Sequence, residues 1–339
     1  MIVLDTFHRR APLSWSKMGP PSPSSVYPLL WSFAAKRHSI YMQRLQGKPP
    51  PWTSDGILSQ YKFTNVYRAS DRVSQFLIRL VYSDETASPA SIFLRTILFK
   101  VFNKIETWQH FVARAGVPEA CTFDPRYFGE MVSDLRREGH KLYSGAYIMP
   151  PGITAGEAKH ATYLAVIKRM LDDNMPQKVV ASRSLREVYE LLRAYPSFGP
   201  FLSFQFAIDL NYTSMINHTE MDYVVAGPGA LDGLSKCFTS LGDYSAEDVI
   251  RLLTESQDKE FLRLGIDFRG LWGRPLQLID VQNLLCEISK YTRASNPEIT
   301  GLAGRTRIKR RFKPTGPLSR PFFPPKWGLN DLIASRDGY

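Results

Sequence analysis

Apolar residues along this chain recur mostly at three- and four-residue spacings, the mark of helices that bury one face. The run WSFAAKRHSIYMQRLQG predicts a helix from Trp31 to about Gly47, ended by that glycine and the three prolines behind it. After a loop, PWTSDGIL, the positions Val73, Phe76, Leu77 and Leu80 predict a second helix from about Asn65 to Tyr82. A third is predicted over 91–115, with Ile92, Leu94, Ile97, Leu98, Val101 and Phe102 inside. Further helices are expected at 124–139, 155–173, 184–194, 200–212, 230–240, 245–257 and 278–292. The aromatic stretch KLYSGAYIMP at 141–150 allows a short strand. Few windows alternate with period two, so all-β and βαβ architectures are disfavoured. The expected fold class is mainly α, a multi-helix domain.

Residues 1–28, rich in Pro and Ser, read as a flexible lead-in, 29–300 as the helical domain, and 301–339 as a basic, Pro-rich tail. Composition agrees: 44% apolar and 12% aromatic residues in 339 suit a packed core. The apolar stretches are too short and too interrupted by charge to span a bilayer, so no membrane partner is expected. Asp5, Arg9 and Arg10 stand where a signal peptide needs its apolar centre. Cys121, Cys237 and Cys286 give neither a disulfide framework nor a metal spacing, and the six histidines include no HxxxH or HxH pair. No metal or cofactor is expected. A reducing intracellular compartment is: cytoplasm in a prokaryote or phage host, the nucleus in a eukaryote.

The net charge of +11 is uneven, with nine Lys/Arg against two Asp after residue 300. Arg305, Arg307, Lys309, Arg310, Arg311 and Lys313 form the densest run, suited to a polyanion through counterion release. The alternatives are a solvated tail or a nuclear-import signal.

Four constellations carry candidate chemistry. Arg37, Tyr41 and Arg44 share one face of the first helix, and Asn65, Arg68, Arg72 and Gln75 one face of the second. Such faces clamp phosphates or read base edges, or they are simply exposed. Pro196-Ser197-Phe198-Gly199 joins two helices into a hairpin whose second N-terminus offers backbone N–H groups to a phosphate. Gly227-Pro228-Gly229, with Asp222 before it and Lys236 in the helix behind, permits close backbone approach of a ligand, yet no GKS or GKT makes it a P-loop. In LIDVQNLLCEISKY, Asp280, Asn283 and Glu287 stack on one helix face, suiting a general base or a flipped base's edge, or an ion-pair ladder with Lys290.

The stretch RHSIYMQRLQGKPPPWTSDGILSQYKFTNVYRASDRVSQFLI, with GPGALDGL and VQNLLCEISKY in order behind it, resembles the DNA base hypermodification proteins from about Trp31 to Arg311. That group includes the helical domain of the 5-hydroxymethyl-deoxyuridine DNA kinase and the α-glutamyl/putrescinyl thymine pyrophosphorylases. The resemblance implies an all-helical fold similar to helix-hairpin-helix DNA glycosylases. It also implies action on modified pyrimidines, phage DNA included. One role is exchange of an activated group on a 5-hydroxymethyl-pyrimidine such as 5-hydroxymethyluracil for an amine or amino acid. The other is glycosidic excision. Either needs double-stranded DNA with the modified base flipped out.

The pattern departs from the family's at Gly56, where members often carry Pro, and at Ser197, where the hairpin keeps only Gly199. Gly227 to Gly229 occupy the place of a glycosylase's catalytic Asp. On this reading Arg37, Arg44, Arg68 and Arg72 hold phosphates, with Gly199, Gly227, Gly229, Lys236 and Arg310 completing the DNA contacts. Trp52, Thr53, Asp55 and Asn65 line the base pocket, and Gln282 and Asn283 read the base edge. Asp280 and Glu287 are the acid–base candidates, with Asp222 in the glycosylase-like position. A base kinase or hydroxymethylase is expected upstream, since no kinase domain accompanies these residues. The competing class is a non-catalytic DNA-binding module that recruits a modifying partner; an RNA-directed protein of the same fold is a third.

Overall fold

The computed structural model describes residues 19–145, 158–314 and 316–335, and among these the chain is mainly helical, with a two-stranded sheet beside fourteen α-helices. Most of the lead-in, the 146–150 part of the strand candidate and the start of the 155–173 helix lie outside the described residues. The chain divides into two compact units that alternate along the sequence. Residues up to Val66 together with Ala226–Pro317 make the first, and Tyr67–Val225 together with the residues from Leu318 onward make the second.

In the first unit, helices numbered in chain order are α1 (Tyr27–Leu45), α2 (Gly56–Gln60), α11 (Pro228–Cys237), α12 (Ala246–Arg263) and α13 (Leu278–Ser295). Pro28 opens α1, where a missing N–H breaks no helical bond, and Gly47 at φ +68° closes the turn behind it. α1 buries Leu30, Trp31, Phe33 and Ala34. The Trp31 ring meets Phe261 of α12 edge-on at 5.1 Å, and Phe33 sits 5.2 Å from Tyr291 of α13. Strand β1 (Ser22–Pro23) pairs antiparallel with β2 (Phe238–Ser240).

α11 and α13 touch backbone to backbone. A Cβ at Gly233 would lie 2.1 Å from the carbonyl oxygen of Leu285, and one at Gly229 would lie 2.7 Å from the Cys286 sulfur. Gly229 and Gly233, four apart, line the same helix face, so the pair opens a groove for α13.

The second unit holds α3 (Arg72–Tyr82), α4 (Pro89–Phe102), α5 (Ile105–Ala115), α6 (Pro125–Arg137), α7 (Lys159–Asp172), α8 (Met175–Val180), α9 (Leu185–Arg193), α10 (Pro200–Asn211) and α14 (Leu329–Ser335). α4 and α10 are buried on nearly all sides, as their high apolar content requires, and they take Arg95, Lys100, Gln205 and Asp209 into the core with them. α9 and α10 pack against each other across the turn 194–199, where Ser197 takes φ +69°.

Three expectations are corrected. The helix from Asn65 begins only at Arg72: Tyr67 and Asp71 are extended, with a single 3-10 turn, Arg68–Ser70, between them. The helix over 91–115 is two helices, because Asn103 adopts the left-handed conformation at φ +49° and ends α4. The helix over 230–240 stops at Cys237 and continues as β2. Residues 141–145 of the strand candidate are neither strand nor helix, and α2, α8 and α14 were not anticipated.

Candidate functional site

α13 carries the site. Its two carboxylates, Asp280 and Glu287, lie two turns apart and meet different partners. Asp280, at the third position of the helix, accepts the backbone N–H of Gln277 at 3.0 Å, closing an otherwise unsatisfied donor at the helix start. Two turns on, Oε2 of Glu287 accepts the N–H of Thr64 at 2.9 Å and the ammonium of Lys290 at 2.6 Å. One turn further, the hydroxyl of Tyr291 donates to Oδ2 of Asp55 at 2.8 Å.

Asp55 joins three helices. Its Oδ1 caps α2 by accepting the N–H groups of Ile57 and Leu58 at 3.0 and 3.1 Å. Its Oδ2 also takes the Lys36 ammonium of α1 at 3.1 Å. Burial works against the charged carboxylate, but the bonds from Leu58, Tyr291 and Lys36 outweigh it and hold Asp55 below the usual carboxylate range. Burial, with Asp55 beside it, pushes the Tyr291 phenol above its ordinary value. At neutral pH the pair is therefore an ionised acceptor and a protonated donor.

The predicted pocket residues gather here. The Asp55 N–H donates to Thr53 Oγ1 at 3.1 Å, and Arg37 reaches Asn65 Oδ1 at 2.5 Å and the Phe63 carbonyl at 3.4 Å. Lys290 lies 4.5 Å over the Phe63 ring. The Arg44 guanidinium stands 5.1 Å over Trp52, whose indole N–H donates to Lys48 O at 2.6 Å. Two carboxylates, each with a lysine, thus meet neighbouring turns of α13: Glu287 on the helix itself, and Asp55, from the cap of α2, at the Tyr291 phenol. That arrangement can accept a proton and hold an amine or hydroxyl, with the buried Phe63 ring behind it.

The other predicted residues lie elsewhere. Asn283, half-buried on α13, lies a turn back from Glu287. Gln282 is fully buried, its amide 3.7 Å from the Cys286 sulfur. What Gly229 admits is that sulfur rather than open space, and Gly227 is the residue that caps α11. Lys236 is buried, donating to Ser289 O at 2.9 Å and Thr292 Oγ1 at 3.1 Å near Asp232, which also accepts the Ala303 N–H at 2.7 Å. Arg310 is exposed.

In the second unit, Gly199 caps α10, Arg72 lies exposed 3.7 Å from Glu106, and Asp222 accepts the Arg186 N–H at 3.3 Å. Arg68 is 1% exposed and forked onto Asp209, at 2.8 and 2.9 Å, with Gln205 at 3.1 Å. Lys100 completes the cluster, 3.2 Å from Asp209. The expected shared face of Asn65, Arg68 and Arg72 does not form, because the segment before Arg72 is extended and the Arg68 fork is turned onto Asp209.

Tyr291, Lys36 and Thr64 were not singled out from the sequence; Tyr291 continues the buried stripe of Val281, Leu284, Leu285 and Ile288. A tyrosine there still needs a partner for its hydroxyl, which is the signal that could have found it. Gln205 and Asp209, four apart in an otherwise apolar helix, likewise demand buried partners.

Among the described residues no cluster of three or more His, Cys, Asp or Glu is arranged to hold a metal, and no helix is long and apolar enough to cross a membrane. A groove of about 930 Å³ in the first unit, lined by Pro23, Tyr27, Phe238, Leu252 and Glu260 among others, contains none of the predicted site residues.

Residues 24–301 match the family described as 5-hmdU DNA kinase, helical domain. The 5-hmdU DNA kinase of Bacillus phage SP10 is 26% identical over 293 residues, which cover 80% of this chain and 46% of the relative. The chain thus spans about half the length of the curated relative it matches. No solved structure matches. With the match running from before α1 to beyond α13, and so across every residue of the Asp55–Glu287 cluster, the chain belongs to the family of 5-hmdU DNA kinase helical domains.

Proposed function

We propose that this protein modifies 5-hydroxymethyluracil or a derivative of it in DNA, using the cluster of Asp55, Glu287, Lys290 and Tyr291 against a flipped-out base. The observation that carries this reading is the family match spanning the two segments, 52–65 and 280–291, that meet in that cluster. Phe63, buried between Phe33 and Lys290, backs the cluster. Asp55 or Glu287 accepts the proton of an attacking nucleophile, and Lys36 and Lys290 hold the negative charge of an activated hydroxymethyl group. The reaction is group transfer to the base or glycosidic excision. The substrate chemistry calls for a hydroxymethylase reaction to install the hydroxymethyl group and, for group transfer, a kinase reaction to activate it.

The test is incubation of the full chain with DNA containing 5-hydroxymethyluracil, bare, phosphorylated or glucosylated, followed by nucleoside mass spectrometry. A mass adduct dependent on an added amine establishes transfer, and free base with abasic sites establishes excision. Asp55→Asn or Glu287→Gln that folds and keeps full turnover removes that carboxylate from the chemistry.

A second reading is a non-catalytic module that binds modified DNA and recruits a partner. It is favoured by the bonds of Asp55 with Lys36 and Tyr291 and of Glu287 with the Thr64 N–H, which also serve as struts between separate segments. Tight DNA binding with unchanged nucleosides on every substrate decides for it.

A further inference from the structure

Between Glu298 and Asp331 the chain carries no acidic residue. From Arg305 to Lys313 it forms neither helix nor turn, and Arg305, Arg307, Lys309, Arg311 and Lys313 occupy alternate positions, all exposed. The segment is not loose. The Lys62 N–H donates to Arg310 O at 3.0 Å and the Phe312 N–H to Gln60 O at 2.9 Å, while Arg293 reaches Arg307 O at 3.4 Å. Ile308 and Phe312 are the half-buried positions, Phe312 edge-on to Trp52 at 6.3 Å. Arg311 is held by Gln60 at 2.9 Å and by the Tyr61 ring. Among the described residues Arg305, Arg307, Lys309 and Lys313 form no ion pair.

Alternate residues of extended backbone share a side and repeat every ~6.6 Å. Successive phosphates of one strand of a duplex rise ~3.4 Å along the axis while turning about it, which puts them ~7 Å apart along the backbone itself. From this match we infer that residues 305–313 are a phosphate-tracking strand that lies along the backbone of duplex DNA and reads no base. The inference rests on DNA being the substrate, as proposed above. Its anchoring on residues 60–62, at the end of α2 between Asp55 and Phe63, fixes where along the DNA the base pocket falls.

The test measures binding of the full chain to duplex DNA with and without 5-hydroxymethyluracil, and to duplex RNA of the same sequence, by fluorescence anisotropy across a salt series. The variant carries Arg305→Ala, Arg307→Ala, Lys309→Ala and Lys313→Ala, side chains that form no ion pair among the described residues. Its charge-matched control carries Arg126→Ala, Arg136→Ala, Arg137→Ala and Lys178→Ala in the second unit. The expected result is a log–log salt slope shallower by roughly three to four, at about 0.9 per lost phosphate contact, and roughly tenfold or greater weakening on both DNAs alike. The control keeps the parent's slope. An unchanged slope in the strand variant, an equal loss in the control, a loss confined to modified DNA, or tighter binding of RNA than of DNA each overturns the inference. Intact DNA binding with no base product leaves the strand standing and sinks the proposed chemistry instead.

Discussion

The hydroxyl of Tyr291 and the carboxylate of Asp55, 236 positions apart in sequence, meet at 2.8 Å and tie the last half of α13 to the cap of α2. Tyr291→Phe removes that donor while keeping the ring between Phe33 and Phe63. Stability should fall by about 0.5–1.5 kcal/mol. Because the folded-state carboxyl lies below its unfolded value, its contribution is present above the unfolded pKa and is lost as pH falls through the folded one. Losing the phenol raises the folded value, so acid unfolding followed by circular dichroism should begin at higher pH. An unchanged acid midpoint would show that the bond contributes nothing.

The α11–α13 crossing makes two glycines respond differently. Gly233→Ala drives a methyl into the backbone carbonyl of Leu285, which cannot move without moving the helix, whereas Gly229→Ala meets only the Cys286 side chain. Overpacking of about 1–3 kcal/mol or more is expected for Gly233→Ala, and a smaller loss for Gly229→Ala. Adding Cys286→Gly should restore the Gly229→Ala variant and leave Gly233→Ala unrepaired, as read by urea unfolding.

Asp209 neutralises two buried cations. Asp209→Ala leaves Arg68 and Lys100 facing each other in the core and should destabilise by about 3–5 kcal/mol. Against a typical total of about 5–15 kcal/mol that is a large share, visible as a lowered urea midpoint.

Lys100 gives the same cluster a signature at alkaline pH. Burial lowers its ammonium to about 8, with Asp209 resisting and Arg68 adding to the fall. Between that value and the ordinary one near 10.5 the unfolded chain binds more protons, so this group's contribution to stability rises with pH across the window and is flat below it. Lys100→Met removes the dependence. The stability difference between the parent and this variant, taken at pH 7, 8, 9 and 10, should shift toward the parent only above about 8.

Two carboxylates on α13 should separate by role. Asp280→Ala loses the bond to Gln277 and should lower stability by about 1 kcal/mol with turnover kept within a few-fold. Glu287→Gln keeps the shape beside Thr64 and Lys290 and should lower turnover with little change in melting temperature. Turnover lost equally in both would reverse the assignment between them.

Helix identity was legible wherever an apolar face repeated, as in α1 and α13, because burial of one stripe dictates that spacing. Helix boundaries were legible only where local chemistry sets them. Gly47 and the prolines after it end a helix unaided. The extended segment before Arg72 exists because Arg68 is drawn into a buried pair with Asp209, 141 positions away, and no window of sequence contains both. The glycines of GPGALDG read alike for an approaching phosphate and an approaching helix; only the position of Leu285 distinguishes them. The site was half legible for a similar reason. Asp55, Asn65 and Glu287 stand out as polar residues in order, whereas Tyr291 hides in an apolar stripe whose hydroxyl has no visible partner until the chain closes.

The alternation of the two units along the chain also sets a timetable for synthesis. α1 leaves the ribosome early, yet α13, which covers its Phe33, follows roughly 250 residues later. At about 5–20 residues per second, α1 waits some 12–50 s with Leu30, Trp31 and Phe33 uncovered. Most of the second unit is translated inside that interval. Nascent chains stalled before residue 278 should therefore hold a sticky, protease-sensitive α1 while the second unit is largely complete, making this helix the place where chaperones are needed.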